Sequence, residues 1–194
     1  MKKTIIVSSV LLVMATASFA QTEIASVKKQ EKATRHQLRE EKKEARLVKK
    51  EEELKEPTYM AAQQFSIDFP DATDIHWSKK DFEKASFMQN GKKLSAFYDF
   101  NSKLIGTVSD ASFDELPAAA KKHIARYYPG YTPQAVILFD DNESNATDMI
   151  LYDTRFKDAD NYFVEMTKGG KNIVLMVSLP SDVSYFTNMN GKVR

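Results

Sequence analysis

The chain has no cysteine, only one tryptophan and three histidines, and six residues each of glycine and proline in 194. Without cysteine there can be no disulfide framework, no thiolate metal site and no lipoprotein-type acylation site, so an exported body must be stable through its core alone. No G-x-S-x-G occurs, and His36, His76 and His123 lack a partner at a metal-ligand spacing such as H-x-x-x-H. Nucleophilic catalysis needs an activated side chain beside an oriented base, and no such constellation can be read here. An excess of charge of one sign is missing too. The formal net charge is +1, and loss of Lys2 and Lys3 would leave 26 basic against 27 acidic residues. That balance gives no electrostatic case for nucleic acid. Long apolar runs are absent after the N-terminus, and the first one, Ile5 to Ala17, is short of the roughly 20 residues a membrane helix needs.

What is present begins with an address. Lys2 and Lys3, the apolar run, and Ser18-Phe19-Ala20 before Gln21 match a secretory signal over residues 1–20. Hydropathy alone leaves open whether it is cleaved or retained as an anchor. Residues 21–57 form a charged, helix-prone arm; from 22 onward it contains no glycine, aromatic residue or aspartate. Glu31 with Arg35 and Glu51 with Lys55 stand at i,i+4 in the favourable order. Ile24, Val27, Leu38, Ala45 and Val48 trace a heptad seam that Glu31, Glu41, Glu52 and Lys55 interrupt. The arm reads either as a solvated helix or as one that pairs with itself or a partner.

The body, residues 58–194, holds 20 of the 21 aromatic residues. Within it a phrase is said twice: Ala61 to Asp71, containing Phe65 and Phe69-Pro70, returns as Ala120 to Gly130, containing Ile124 and Tyr128-Pro129. The first helix is expected over Tyr59 to Asp68, with Met60, Phe65 and Phe69 on one side, ended by Pro70. Strands follow at Asp74 to Ser78 and Lys84 to Gln89, then beyond the Asn90-Gly91 hairpin signal at Leu94 to Phe100 and Leu104 to Ser109. Ser112-x-x-Glu115 and Pro117 open a second helix running to about Tyr128. Four strands come next: Gln134 to Phe139, Met149 to Lys157, Tyr162 to Thr167 and Asn172 to Ser178, with a polar loop over Asp140 to Asp148. The expected fold class is α+β: two tandem helix-plus-meander repeats, about 58–110 and 111–180, forming one open, twisted antiparallel sheet with its helices on one face.

A helix-free sheet face is a binding surface by shape. Alternation assigns Ile75 and Trp77 to one face, read as core, and His76 to the other. Phe97, Asp99, Arg155, Phe163 and Glu165 are large or charged residues on the polar phase of their strands, and exposed apolar groups there mark binding sites. With His76 they form the candidate partner-binding set, although the arm or Tyr185-Phe186 could cover the two phenylalanines. No metal site or cofactor is expected. Counted from Asp140, an EF-hand would need Gly and Glu where Asn145 and Leu151 stand. Asn145-Ala146-Thr147 is a glycosylation sequon that an exported bacterial chain would not use.

The run Phe65-x-x-x-Phe69-Pro70-x-Ala72-x-x-Ile75-x-Trp77, then Tyr98-Asp99 and a Gly-containing hairpin, then Leu116-Pro117 and Ile124-x-x-x-Tyr128-Pro129, resembles the PepSY-like family of exported bacterial domains. That family is linked to the beta-lactamase-inhibitor-protein (BLIP) fold. The resemblance covers residues 60 to about 180 and implies a periplasmic, non-enzymatic module of two repeats with an inhibitory or ligand-binding role. After Tyr98-Asp99 the family carries a glycine, whereas this chain has Asn101-Ser102-Lys103. Two functions are expected from these readings. One is a periplasmic or secreted binding or inhibitor-like module that holds a protein or peptide of the cell envelope on its sheet. The other is an envelope scaffold acting through its charged arm.

Overall fold

A computed structural model of the protein describes residue 30 and residues 32–189. The expected signal, the start of the arm with Ile24 and Val27, the Glu31–Arg35 pair and residues 190–194 lie outside the described residues. Two compact units divide between Glu52 and Glu53. Helix α1 spans residues 32–53, all but the last of them in the first unit, with every residue exposed, in keeping with a segment that has so little to bury.

The second unit starts with α2 (Tyr59–Asp68) and continues as four strands, β1 (Thr73–Lys79), β2 (Glu83–Gln89), β3 (Lys92–Tyr98) and β4 (Leu104–Ala111). A 3-10 turn (Phe113–Glu115) leads into α3 (Ala118–Tyr127) and β5 (Thr132–Asp141). The chain then forms a small hairpin, β6 (Met149–Leu151) and β7 (Thr154–Phe156), before β8 (Asn161–Lys168), β9 (Lys171–Ser178) and β10 (Val183–Asn188). The main sheet is antiparallel, in the order β1-β2-β3-β4-β5-β8-β9-β10, with β6 and β7 forming a separate two-stranded sheet. This is the expected α+β architecture, an open antiparallel sheet with α2 and α3 on one face.

The two helices are built and ended alike. Each buries an alanine and one large residue, Ala61 with Phe65 and Ala120 with Ile124. Each closes where the amide of an aromatic residue, Phe69 or Tyr128, donates to the carbonyl four residues back, just before a proline that cannot continue the helix. Phe65 stacks on Phe87, Trp77 and Tyr98 at ring separations of 5.0, 5.4 and 6.5 Å, which places Trp77 in the core. Full burial of such a side chain contributes about 1.5–3 kcal/mol. Ile124 packs in a second cluster with Val136, Val164, Met166 and Leu175. Met60 does not join the helix's inner side; it is exposed.

Three departures from the sequence expectations are local. The Ser112–Glu115 capping box closes the 3-10 turn, and Pro117 takes the N-cap of α3. β10, not expected, adds an eighth strand to the sheet. The stretch from Met149 to Lys157 is a hairpin rather than one strand, turning at Tyr152 and Asp153 with φ of +51° and +53°. Where the family resemblance calls for glycine, Ser102 adopts the positive φ, +58°, and the Asp99 carboxylate accepts from the amides of Asn101 and Lys103 to hold the turn.

Candidate functional site

The helix-free face of the sheet has two halves of opposite character. Over β5, β8, β9 and β10 it presents Ile137, Phe139, Phe163, Val174 and Phe186, which join one apolar cluster. The hairpin of β6 and β7 lies on this cluster with Met149, Leu151, Tyr152 and Phe156. Phe156 sits 5.2 Å from Phe139 and 4.8 Å from Phe163, ring to ring. The Tyr152 hydroxyl donates to Glu165 at 2.8 Å, and Lys80 of the β1–β2 turn bonds the Asp153 carboxylate. The Asp153 pairing raises the Lys80 pKa, by hydrogen bond first and charge second.

Over β1, β2 and the first residues of β3 the same face is polar, while Phe97 of β3 and Ile105 of β4 belong to the apolar cluster and Val108 packs against it. Ala85 and Phe87 point to α2, so their neighbours Lys84 and Ser86 point away; likewise Lys93, Ser95 and Phe97 alternate with Leu94, Ala96 and Tyr98. Register places Ser86 opposite Ser95, and their hydroxyls are 3.0 Å apart. The Lys84 ammonium lies 5.7 Å from the centre of the Phe97 ring, a cation–π distance.

Where the polar half meets the hairpin, two adjoining hollows open. One, of about 260 Å³, is lined by Ser86, Lys93, Ser95, Val108, Asp110 and others; the second, of about 240 Å³, by Ser78, Phe82, Ile150 and Asp153 among others. Lys84, Phe97 and Leu151 line both. The result is a groove with a polar floor, cations and a carboxylate at its margin, and one apolar wall. Such a surface can hold an extended segment by side-chain hydrogen bonds and charge. Among the described residues no group of histidine and carboxylate side chains is placed to hold a metal ion.

The predicted site residues scatter over this layout. Phe97 and Phe163 were candidates for exposure unless the arm or Tyr185-Phe186 covered them; they are 8% and 0% exposed, which removes them as open contact residues. The cause for Phe163 is the hairpin above it together with Phe186, 4.9 Å away. Phe97 is buried beside Leu151 and keeps only an edge on the groove. Glu165 is taken by Tyr152, and Asp99 by its own turn and by Asn145 at 3.3 Å. Arg155 is exposed on the hairpin's outer strand, 3.9 Å from Asp148. His76 is exposed on edge strand β1, paired in register with Ser86, and its ring nitrogen Nδ1 lies 2.9 Å from the Asp74 carbonyl oxygen; it lines neither hollow. Thus of the set only Phe97 reaches the groove. Lys84, Ser86, Lys93 and Ser95 were not among the predicted residues, although their alternation with buried neighbours is legible, because polar side chains on the polar phase of a strand break no pattern.

The polar loop after β5 is pinned rather than fully solvated. Asn142 and Asn145 donate to the Leu104 carbonyl at 2.8 and 3.1 Å, and Asn145 is 9% exposed, which leaves the sequon asparagine inside the fold. No helix among the described residues is long and apolar enough to cross a membrane.

Solved structures share this fold. A DUF2874 family protein from Bacteroides uniformis aligns at 16% identity and TM-score 0.56, over 69% of this chain and 90% of its own. A BLIP-like protein from Bacteroides fragilis aligns at 18% and 0.52, over 69% and 86%. A protein provisionally described as periplasmic, from Bacteroides eggerthii, aligns at 17% and 0.56, over 70% and 91%. At such identities the likeness shows the fold alone, which is BLIP-like. No family model matches the chain, and no curated protein matches it.

Proposed function

We propose that this chain is an exported, periplasmic binding or inhibitor-like module, not an enzyme, which holds a protein or peptide of the cell envelope against the uncovered half of its sheet. The observation that carries the reading is the split of the helix-free face. The part over β4, β5, β8, β9 and β10, reaching Phe97 of β3, is apolar and occupied by the chain's own hairpin, while the part over β1, β2 and the start of β3 is polar, not covered by the hairpin and bounded by a groove. The signal-like residues 1–20 support export, and the periplasmic description of one structural neighbour agrees with it. The matching burial and ends of α2 and α3 support a duplicated unit of the PepSY-like kind, because Phe65, Phe69, Trp77, Tyr98, Leu116, Ile124 and Tyr128, which carry that resemblance, are packing residues here, while Ile75, expected in the core with Trp77, is exposed. Of the predicted contact set, the edge of Phe97 belongs to this surface; Lys84, Ser86, Lys93 and Ser95 complete it.

A photo-crosslinking side chain placed at Ser95 in intact cells tests the reading, with the same group at exposed Lys122 on α3 as the control. A discrete crosslinked species from Ser95, absent from Lys122 and abolished by Ser86→Arg, is expected. Equal labelling from both positions would refute the groove. The second reading, a scaffold acting through its charged arm, draws on the exposed helix α1. Deleting residues 22–56 separates the two, since partner capture should survive the deletion only if the sheet face makes the contact.

A further inference from the structure

We infer that α1 is an electrostatic docking surface for anionic phospholipid headgroups, and that through it the protein lies against a membrane. Lys32, Arg35, Arg39, Lys42, Arg46 and Lys49 follow one another at alternating steps of three and four residues. At 3.6 residues per turn this spacing, with Lys43 and Lys50 added, keeps every cation of residues 32–50 within about a third of the helix circumference. The stripe runs for roughly 27 Å at 1.5 Å per residue. No acidic residue from 32 to 52 falls in the arc; Glu40, Glu44 and Glu51 lie on the other side, and the first carboxylate to enter it is Glu53. The side chains bear out the clustering: Arg39, Lys42, Lys43, Arg46 and Lys50 gather round one shallow hollow with Leu47. All of these residues are exposed.

Net charge hides this surface, because the arm's acids nearly cancel its bases in number while standing on a different face. A straight cationic stripe fits a flat, diffuse field of negative charge, and each Lys or Arg near an anionic leaflet adds separately to the attraction. A protein partner would be anchored by buried aromatic or large apolar residues. The arm has no aromatic residue, and its larger apolar side chains are scattered, with Leu38 and Leu47 flanking the stripe. The inference is independent of the groove and names a partner of a different class for a different unit of the chain.

The test measures co-sedimentation of the purified protein with vesicles rich in phosphatidylglycerol and with vesicles of phosphatidylcholine alone. The protein should bind the first and not the second at about 0.05 M salt, and lose binding at about 0.5 M as screening shortens the reach of the charges. Replacing Arg39, Lys42 and Arg46 together by Gln, which keeps helix propensity, should weaken binding about a hundredfold. Replacing Glu40, Glu44 and Glu51 together by Gln should not weaken it. Circular dichroism and thermal unfolding, unchanged in both variants, would show that helix and body persist; if the basic variant loses helix, Lys-to-Arg exchange at Lys42 and Lys43 must retain binding. Equal binding to both vesicle types, or a basic variant that binds like the parent, would overturn the inference. So would a stable oligomer that the basic variant dissociates without any lipid binding, since the acidic face of a second arm would then be the partner.

Discussion

In the first half of the sheet the face turned away from α2 carries Ser86, Lys93 and Ser95 and turns apolar only at its inner edge, at Phe97 and Ile105, whereas in the second half the corresponding face carries Ile137, Phe139, Phe163 and Phe186. The helices beneath are nearly interchangeable in burial and in the way they end. The difference lies in the connections. Within the first half, short turns lead from strand to strand; in the second, the chain leaves the sheet after β5, makes the β6–β7 hairpin, and returns as β8. That excursion supplies its own apolar underside, so the sheet below it can be apolar. The polarity of a sheet face therefore records whether the chain itself covers it. The polar part, on which no hairpin of its own unit lies among the described residues, is the part proposed to meet another molecule.

The largest effect should come from removing a side chain that only the covered half contains. Phe163→Ala deletes a fully buried ring that touches Phe156 and Phe186, and is expected to cost about 3–5 kcal/mol in urea unfolding. Ser95→Ala, on the uncovered half, removes one half-buried hydroxyl contact with Ser86 and should cost no more than about 1 kcal/mol. Similar losses for the two would mean that the hairpin does not rest on the sheet as described, and the contrast between the halves would fail.

How much of this was legible in the sequence follows from which signals are local. The helices, Asn90-Gly91 and the alternation along β2 and β3 announce themselves, because propensity, turn chemistry and burial agree there. The β6–β7 hairpin does not, since a two-residue turn of this kind calls for glycine or asparagine and the chain offers Tyr152 and Asp153. A tyrosine at positive φ is held by long-range contacts: its ring is buried, and its hydroxyl reaches Glu165. With the hairpin hidden, Phe97 and Phe163 read as apolar residues on a polar phase, and Ser86 and Ser95 of the groove follow the ordinary alternation and carry no signal of their own. The pairing of charge with face on α1 was in the sequence all along, but it shows only when the eight cations are wound onto one helix.

A smaller effect is expected at the seam between the halves. Gly106 of β4 pairs with Asp141 of β5, and a Cβ there would stand 2.6 Å from the Asp140 carbonyl oxygen and 2.7 Å from the Phe139 ring. Glycine is needed for this close approach, not for its φ. Gly106→Ala should lower stability by about 1–3 kcal/mol through overpacking, read from the urea midpoint. Because Phe139 belongs to the covered cluster, the loss should be accompanied by altered aromatic signals from that half, while those of Trp77 in the first half are retained. A neutral substitution would show that the seam is loosely packed and that the halves meet with slack.

The smallest effect separates the two turns at which the halves leave a strand. After β3, both oxygens of the Asp99 carboxylate accept hydrogen bonds, from Asn101, Lys103 and Asn145. After β5, one oxygen of Asp141 is buried with no hydrogen-bond partner. Burial raises the Asp141 pKa, with the nearby charges of Asp158, Asp160 and Glu143 adding to it against a hydrogen bond from the Asn142 amide. Burial, then Asp160, raises that of Asp140 as well. A carboxylic acid whose folded pKa lies above its unfolded one binds more protons when folded, so stability falls as pH rises through that window. The penalty is fully present above the raised value and absent below the ordinary aspartate range. Asp141→Asn abolishes the charge and should raise the urea midpoint at pH 7 while leaving it nearly unchanged at pH 3, with Asp140 supplying the pH dependence that remains. Asp99→Asn, which weakens the acceptor for two turn amides, should act in the opposite direction at pH 7. If both substitutions destabilise equally at that pH, the exit from β5 is as well satisfied as the β3 turn, and the excursion that distinguishes the second half leaves its carboxylate unstrained.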